Sequence, residues 1–128
     1  MATNTFTLDV QPGTLAVCRL DGNAGVPDWA SGTITSITRT ADELSIVCSQ
    51  DNVPENITSE PGWRCLRVAG PLEFSMVGVI ASLTGILATA NISVFVVSTF
   101  DSDLVLVKQA DLEAAIESLT AAGHVVRS

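Results

Sequence analysis

Few residues of this chain are equipped for chemistry. Asp101-Ser102-Asp103 sets two carboxylates one residue apart after a long apolar run. Such a pair can contact a cationic ligand, contribute to a metal site, or simply make the local hydrogen bonds of a hairpin turn. A metal needs more converging ligands, and neither a nearby His nor a complete calcium-loop pattern accompanies the pair. His124 is the sole histidine and sits in an apolar stretch near the end of the chain, where it reads as structural rather than as a general base. Cys18, Cys48 and Cys65 are odd in number and form no CxxC motif. They read as small buried hydrophobes in a reducing cytosol. Cys18 or Cys65 becomes a nucleophile with His124 only if the fold brings them together in a cleft. The chain has no Gly-rich phosphate loop, nucleophile elbow or metal-ligand cluster, so the expectation is a protein that is not an enzyme and needs no cofactor or metal.

Composition narrows the partners. The formal net charge is −8, from six basic and fourteen acidic residues. A nucleic-acid binder needs a basic stripe to displace counterions from phosphates, and an anionic membrane surface repels the same charge. Both partners are therefore excluded. Hydrophobic residues make up 47% and charged residues 16% of the 128, enough apolar surface for a core. Aromatics are few, so Ala, Val, Ile and Leu must fill it. Met1 to Asp9 is polar and lacks the basic start of a signal peptide. Asn56-Ile57-Thr58 and Asn91-Ile92-Ser93 are then sequons without glycan. Residues 74–100 carry no charge and are long enough to span a bilayer. Their Ser, Thr and Asn interruptions, and the change after Asn91 to β-branched residues, favour a buried helix followed by a buried strand.

The elements that must position these residues are clearest in the second half. Trp63 to Ala69 alternates like a strand and is broken by Gly70-Pro71. Ser75 is a plausible N-cap for a helix running to about Ala90. Met76, Ile80, Leu83 and Leu87 form its apolar stripe. Gly78, Ala81, Ser82, Gly85 and Ala88 form a neighbouring small-residue face on which a sheet could pack closely. Asn91 ends the helix, 92–100 is a strand, Asp101-Ser102 turns the chain, and 103–108 returns as the hairpin partner. Asp111 begins a second helix with Leu112, Ala115, Ile116 and Leu119 on one face. Gly123 closes it and 124–127 is a short last strand. The order β-α-β-β-α-β is the ferredoxin-like split unit, an α+β fold.

The first half echoes the second. Glu43-Leu-Ser-Ile-Val-Cys48 matches Asp103-Leu-Val-Leu-Val-Lys108 sixty residues later, and 33–38 matches 93–98. Where the first helix should stand, residues 22–30 suffice for only a loop and one helical turn. The sequence thus reads as a tandem duplication with a shortened first helix: an N-terminal extension over 1–12, a degenerate unit over 13–62 and a second unit over 63–128. Two units of about sixty residues are each marginal alone, so a shared core is expected.

Gly70-Pro-Leu-Glu-Phe-Ser-Met-Val-Gly78, followed by Ser98-Thr-Phe-Asp-Ser-Asp103 and a Leu-Val-Leu-Val strand, closely resembles the aspartate-kinase-like tandem ACT proteins. That branch includes the CASTOR arginine sensors. Leu15 to Leu20, Pro27-Asp-Trp-Ala30 and Glu43 to Cys48 also fit it, and the likeness covers roughly 13–126. The resemblance implies a regulatory homodimer that binds a small-molecule ligand, an amino acid, in the cytoplasm. It places ligand contacts at Ser75, Met76, Val77 and Gly78, where helix-terminal N–H groups attract a carboxylate. It places others at Thr99, Phe100, Asp101 and Asp103, with Asp103 suited to an ammonium or guanidinium. The arginine sensors carry four ACT units where this chain has two, so their specificity is not inherited. An alternative reading is a dimerisation module whose ligand site is vestigial.

Overall fold

A computed structural model describes residues 5–69 and 78–128, which form two compact units. One is built from Met1–Pro12 and Arg64–Ser128, the other from Gly13–Trp63.

In the Gly13–Trp63 unit, strands β2 (Leu15–Leu20), β3 (Ser36–Arg39) and β4 (Leu44–Ser49) lie in the order β3-β4-β2, and β2 pairs onward with β5 (Thr58–Val68). All these pairings are antiparallel. Ala16 and Cys18 on β2, with Leu44, Ile46 and Cys48 on β4, recur at every second residue and so share one face. They form this unit's buried core, covered by Trp29, Ala30, Val53 and Ile57. Among the described residues this unit has no α-helix, only a single 3-10 turn at Gln50–Asn52. Residues 21–31 instead make successive turns, including Ala24 N–H to Asp21 O at 2.9 Å and Ala30 N–H to Pro27 O at 3.1 Å. The β2–β5 register slips between Leu15 and Val17, opposite Trp63 and Glu60. Pro61, which has no N–H to give to a ladder, falls in the slip.

The unit containing the C-terminus is the two-layer one. Its helices are α1 (Val79–Thr89) and α2 (Leu112–Ala121), and its further strands are β1 (Thr7–Val10), β6 (Val94–Ser98), β7 (Asp103–Lys108) and β8 (Val125–Arg127). β6 pairs β7, β7 pairs β5, β5 pairs β1, and β1 pairs β8. Residues 7–10, within the segment read as an extension, thus lie antiparallel to β5 and parallel to β8. Asp9 and Arg127 face each other in that register. The guanidinium donates through Nε at 2.6 Å and Nη2 at 2.9 Å, holding the Asp9 carboxyl below its ordinary value.

Leu8, Leu66, Val68, Val105 and Val107 from the strands meet Val79, Leu83 and Leu87 of α1 and Ala115 and Leu119 of α2. Burying a leucine such as Leu83 or Leu87 contributes about 1.5–3 kcal/mol. Packing uses the apolar stripe of α1, with Leu83 and Leu87 buried and Ile80 against the core, and not the neighbouring small-residue face. Ala81, Gly85 and Ala88 are exposed, and Val79, Leu83 and Leu87 are buried. The helix turns its larger side chains inward because the gain scales with apolar area removed from water. The uncharged run of 74–100 is not one rod either. Asn91 adopts φ 61, Ile92 N–H returns to Leu87 O at 2.9 Å and Asn91 N–H to Ala88 O at 2.9 Å. These two bonds are a Schellman stop, sealed by the buried Ile92 against Leu87. Gly123 ends α2 in the same way, with His124 N–H to Leu119 O at 3.1 Å. Among the described residues no helix is long and apolar enough to cross a membrane.

Candidate functional site

The β6–β7 hairpin gathers four of the sequence-predicted contacts. Ser98 pairs Asp103, leaving a four-residue loop of Thr99 to Ser102. Thr99 N–H donates to Ser102 O at 2.8 Å. The Thr99 hydroxyl donates to the same carbonyl at 3.0 Å, accepts Ser102 N–H at 3.1 Å and lies 3.2 Å from Ser102 Oγ. Ser102 is buried, and its exposure is only 6%. The Thr99 hydroxyl is therefore committed to the turn. Asp101 and Phe100 stand at the tip, Phe100 with 75% of its surface exposed.

Asp103 is half-buried at the first position of β7. Side chains alternate along a strand, so Asp103 shares a face with Val105 and Val107, which belong to the core beneath the two helices. A carboxylate at the helix-covered end of a sheet can be stabilised by a cation presented there. Gly78 occupies the N-cap of α1 with φ 81, and α1 has no side-chain cap. The N-cap residue itself, being glycine, therefore supplies no side-chain oxygen to the first N–H groups. Ser75, Met76 and Val77 lie outside the described residues, as does the proposed cap at Ser75.

A second, matching turn was not singled out from the sequence. The β3–β4 hairpin pairs Arg39 with Leu44 and also leaves four loop residues. Thr40 N–H donates to Glu43 O at 2.9 Å, and Glu43 N–H donates to Thr40 Oγ1 at 3.2 Å. This is the bond pair of Thr99 and Ser102, fifty-nine residues earlier. The signal was present as Thr40-Ala-Asp42 and Thr99-Phe-Asp101. The sixty-residue match of the strand leucines obscured it by one position.

The remaining reactive side chains are occupied. His124 is buried with 4% exposure, and its Nδ1 accepts the Phe6 N–H at 2.9 Å while the two rings stack at 5.6 Å. Cys18, Cys48 and Cys65 are free and buried. Burial pushes the Cys65 thiol up to about 12, and burial together with neighbouring Cys48 pushes Cys18 up to about 11. Burial raises Cys48 as well. A thiol held protonated is a poor nucleophile. Among the described residues no three His, Cys, Asp or Glu side chains converge as metal ligands.

Comparison with known proteins places this geometry. A family model for the ACT domain matches residues 58–121, and a second model, for an N-terminal domain, matches 13–56. The human protein described as cytosolic arginine sensor for mTORC1 subunit 1 is 35% identical over 101 residues, covering 73% of this chain and 31% of that protein. Its bovine counterpart is 41% identical over 66 residues, covering 49% and 20%. This chain thus spans less than a third of those relatives. A crystallised Agrobacterium tumefaciens protein superposes with a TM-score of 0.92 at 41% identity, covering 97% of this chain and 93% of that one. The ligand-free regulatory subunit of Thermus thermophilus aspartate kinase superposes at 0.59 with 12% identity, covering 93% and 97%, a likeness of fold alone.

Proposed function

Because this chain belongs to the ACT domain family, we propose that it is a regulatory module that binds an amino acid as a homodimer and catalyses no reaction. The observation that carries the reading is Asp103, a carboxylate at the start of β7 on the face that Val105 and Val107 turn to the helices, beside a turn in which Thr99 and Ser102 bond each other. Similarity to a cytosolic arginine sensor supports an amino-acid ligand and a cytoplasmic setting. In this reading Asp103 takes the ligand's cationic group, with Thr99, Phe100 and Asp101 shaping the tip. Ser75, Met76, Val77 and Gly78 receive its carboxylate. Residues 63–128 act as the ACT unit that binds, 13–62 as its degenerate copy and 1–12 as an extension contributing β1.

The poverty of reactive groups supports the absence of catalysis, since the thiols are buried and the single imidazole is engaged. One observation favours the alternative of a dimerisation module with a vestigial site: the Thr99 hydroxyl is wholly used by its own turn. A thermal-shift screen against the twenty amino acids separates the two. A ligand at a hundredfold its dissociation constant adds ~2.7 kcal/mol of stability. A dimer that no amino acid stabilises would exclude the binding reading.

A further inference from the structure

The two hairpins are built alike and end in opposite chemistry. Each has four loop residues opened by a threonine whose N–H and Oγ1 bond the C=O and N–H of the last loop residue. The pair that closes the loop is Ser98 with Asp103 in one and Arg39 with Leu44 in the other. Directly paired residues of antiparallel strands point to the same face. On that face the closing pair of β6–β7 offers a hydroxyl and a carboxylate. The β3–β4 end offers a fully buried leucine and a guanidinium.

That guanidinium is engaged by its own chain, because Arg39 Nη1 donates to Gly22 O. Arg19 Nη2 adds a bond to Asp42 O at 3.0 Å, inside the loop itself. The backbone closes in as well. A Cβ placed on Gly22 would lie 2.5 Å from Ala41 O, so the 21–24 turn rests directly against the loop. Where the other unit has a helix over its sheet, this unit has that turn.

Resting on the reading of Asp103 given above, we infer that each chain takes one cationic ligand, at the Ser98–Asp103 end, and that the Arg39–Leu44 end is closed by its own arginine and its own turn. The duplication then yields one binding end and one self-occupied end. Arg39 stands for the ligand cation in the copy that lost its helix, and Leu44 removes the carboxylate that would attract a second one.

Backbone amide NMR on the full chain tests this with L-arginine and guanidinium chloride as probes. The expected result is saturable movement of the Ser98–Asp103 signals by L-arginine, one equivalent per chain, with no saturable movement at Arg39–Leu44. Asp103→Asn should weaken the binding roughly tenfold or more, the loss of one charge-assisted contact. Two equivalents, or comparable movement at both ends, overturn the inference while sparing the proposed function. No movement at either end removes the proposed cation contact and the single-site claim together. A ligand-free measurement addresses closure by itself: Arg39→Met, with Arg39→Lys as the conservative partner, should speed amide exchange at Ala24, whose N–H closes the 21–24 turn on Asp21 O, and leave Ser102 unchanged. Unaltered exchange at Ala24 overturns the closed end.

Discussion

Replacing Thr99 with Val, an isosteric change, removes one hydroxyl from a turn that uses it as both donor and acceptor. Ser102 loses the partner of its N–H, at 3.1 Å, and its carbonyl loses one of two donors. With Ser102 only 6% exposed, water cannot readily replace the bond. A buried donor left unsatisfied costs about 1–3 kcal/mol. The β3–β4 hairpin supplies an internal control, since Thr40→Val deletes the equivalent bonds to Asp42 and Glu43, each 3.2 Å. Thr40, Ala41 and Asp42 are exposed, so solvent takes over and the cost should stay within about 0.5 kcal/mol. Native-state amide exchange reads both turns in one experiment. The Ser102 amide should exchange roughly 5–150-fold faster in Thr99→Val, and Glu43 should change by little more than twofold in Thr40→Val. If the Thr40 variant matched or exceeded the Thr99 variant, burial would not be what gives the hydroxyl its weight, and Thr99 would lose its place as the residue that holds Asp103.

The other expectations concern the core and the thiols. Leu83→Ala, at a fully buried position of α1, should cost about 2–5 kcal/mol by urea denaturation; a cost under about 1 kcal/mol would contradict the packing described. Gly32 has φ 140, and an added Cβ would sit 2.9 Å from Ser49 Cβ. Gly32→Ala should therefore destabilise by about 1–3 kcal/mol, and a neutral result would place that segment elsewhere. The thiols predict an alkaline loss of stability. An unfolded cysteine ionises near about pH 8.5, whereas burial holds Cys18 up to about 11 and Cys65 up to about 12. Above the first value the unfolded chain has released protons that the folded chain keeps, so stability is whole below it and falls as pH rises through the folded values. Urea midpoints measured on both sides of pH 9 should show the fall, and Cys65→Ala should lessen it.

Periodicity and punctuation carried much of the fold. Strand 103–108, the helix ending at Asn91 and the Gly123 stop are local matters, decided by alternation and by which residues accept a left-handed backbone. The strand read from the sequence over 63–69 runs over 58–68, beginning earlier than Trp63 because Pro61 is absorbed in a register slip. The apolar stripe of α1 was legible from its spacing, and only contact with the sheet excluded the adjoining small face as a packing surface.

Type and order of elements, the poverty of catalytic groups and the absence of a basic stripe follow from the chain's own residues, since each depends on neighbours a few positions apart. Which carboxylate stands on the covered face and which hairpin end is filled by an arginine depend on how the strands pair and on a bond from Arg39 to a carbonyl seventeen positions away. Pairing register decides these, because a shift of one residue sends every side chain of a strand to the opposite face. Linear spacing alone suggested an offset of sixty, and the hydrogen bonds of the two turns set it at fifty-nine.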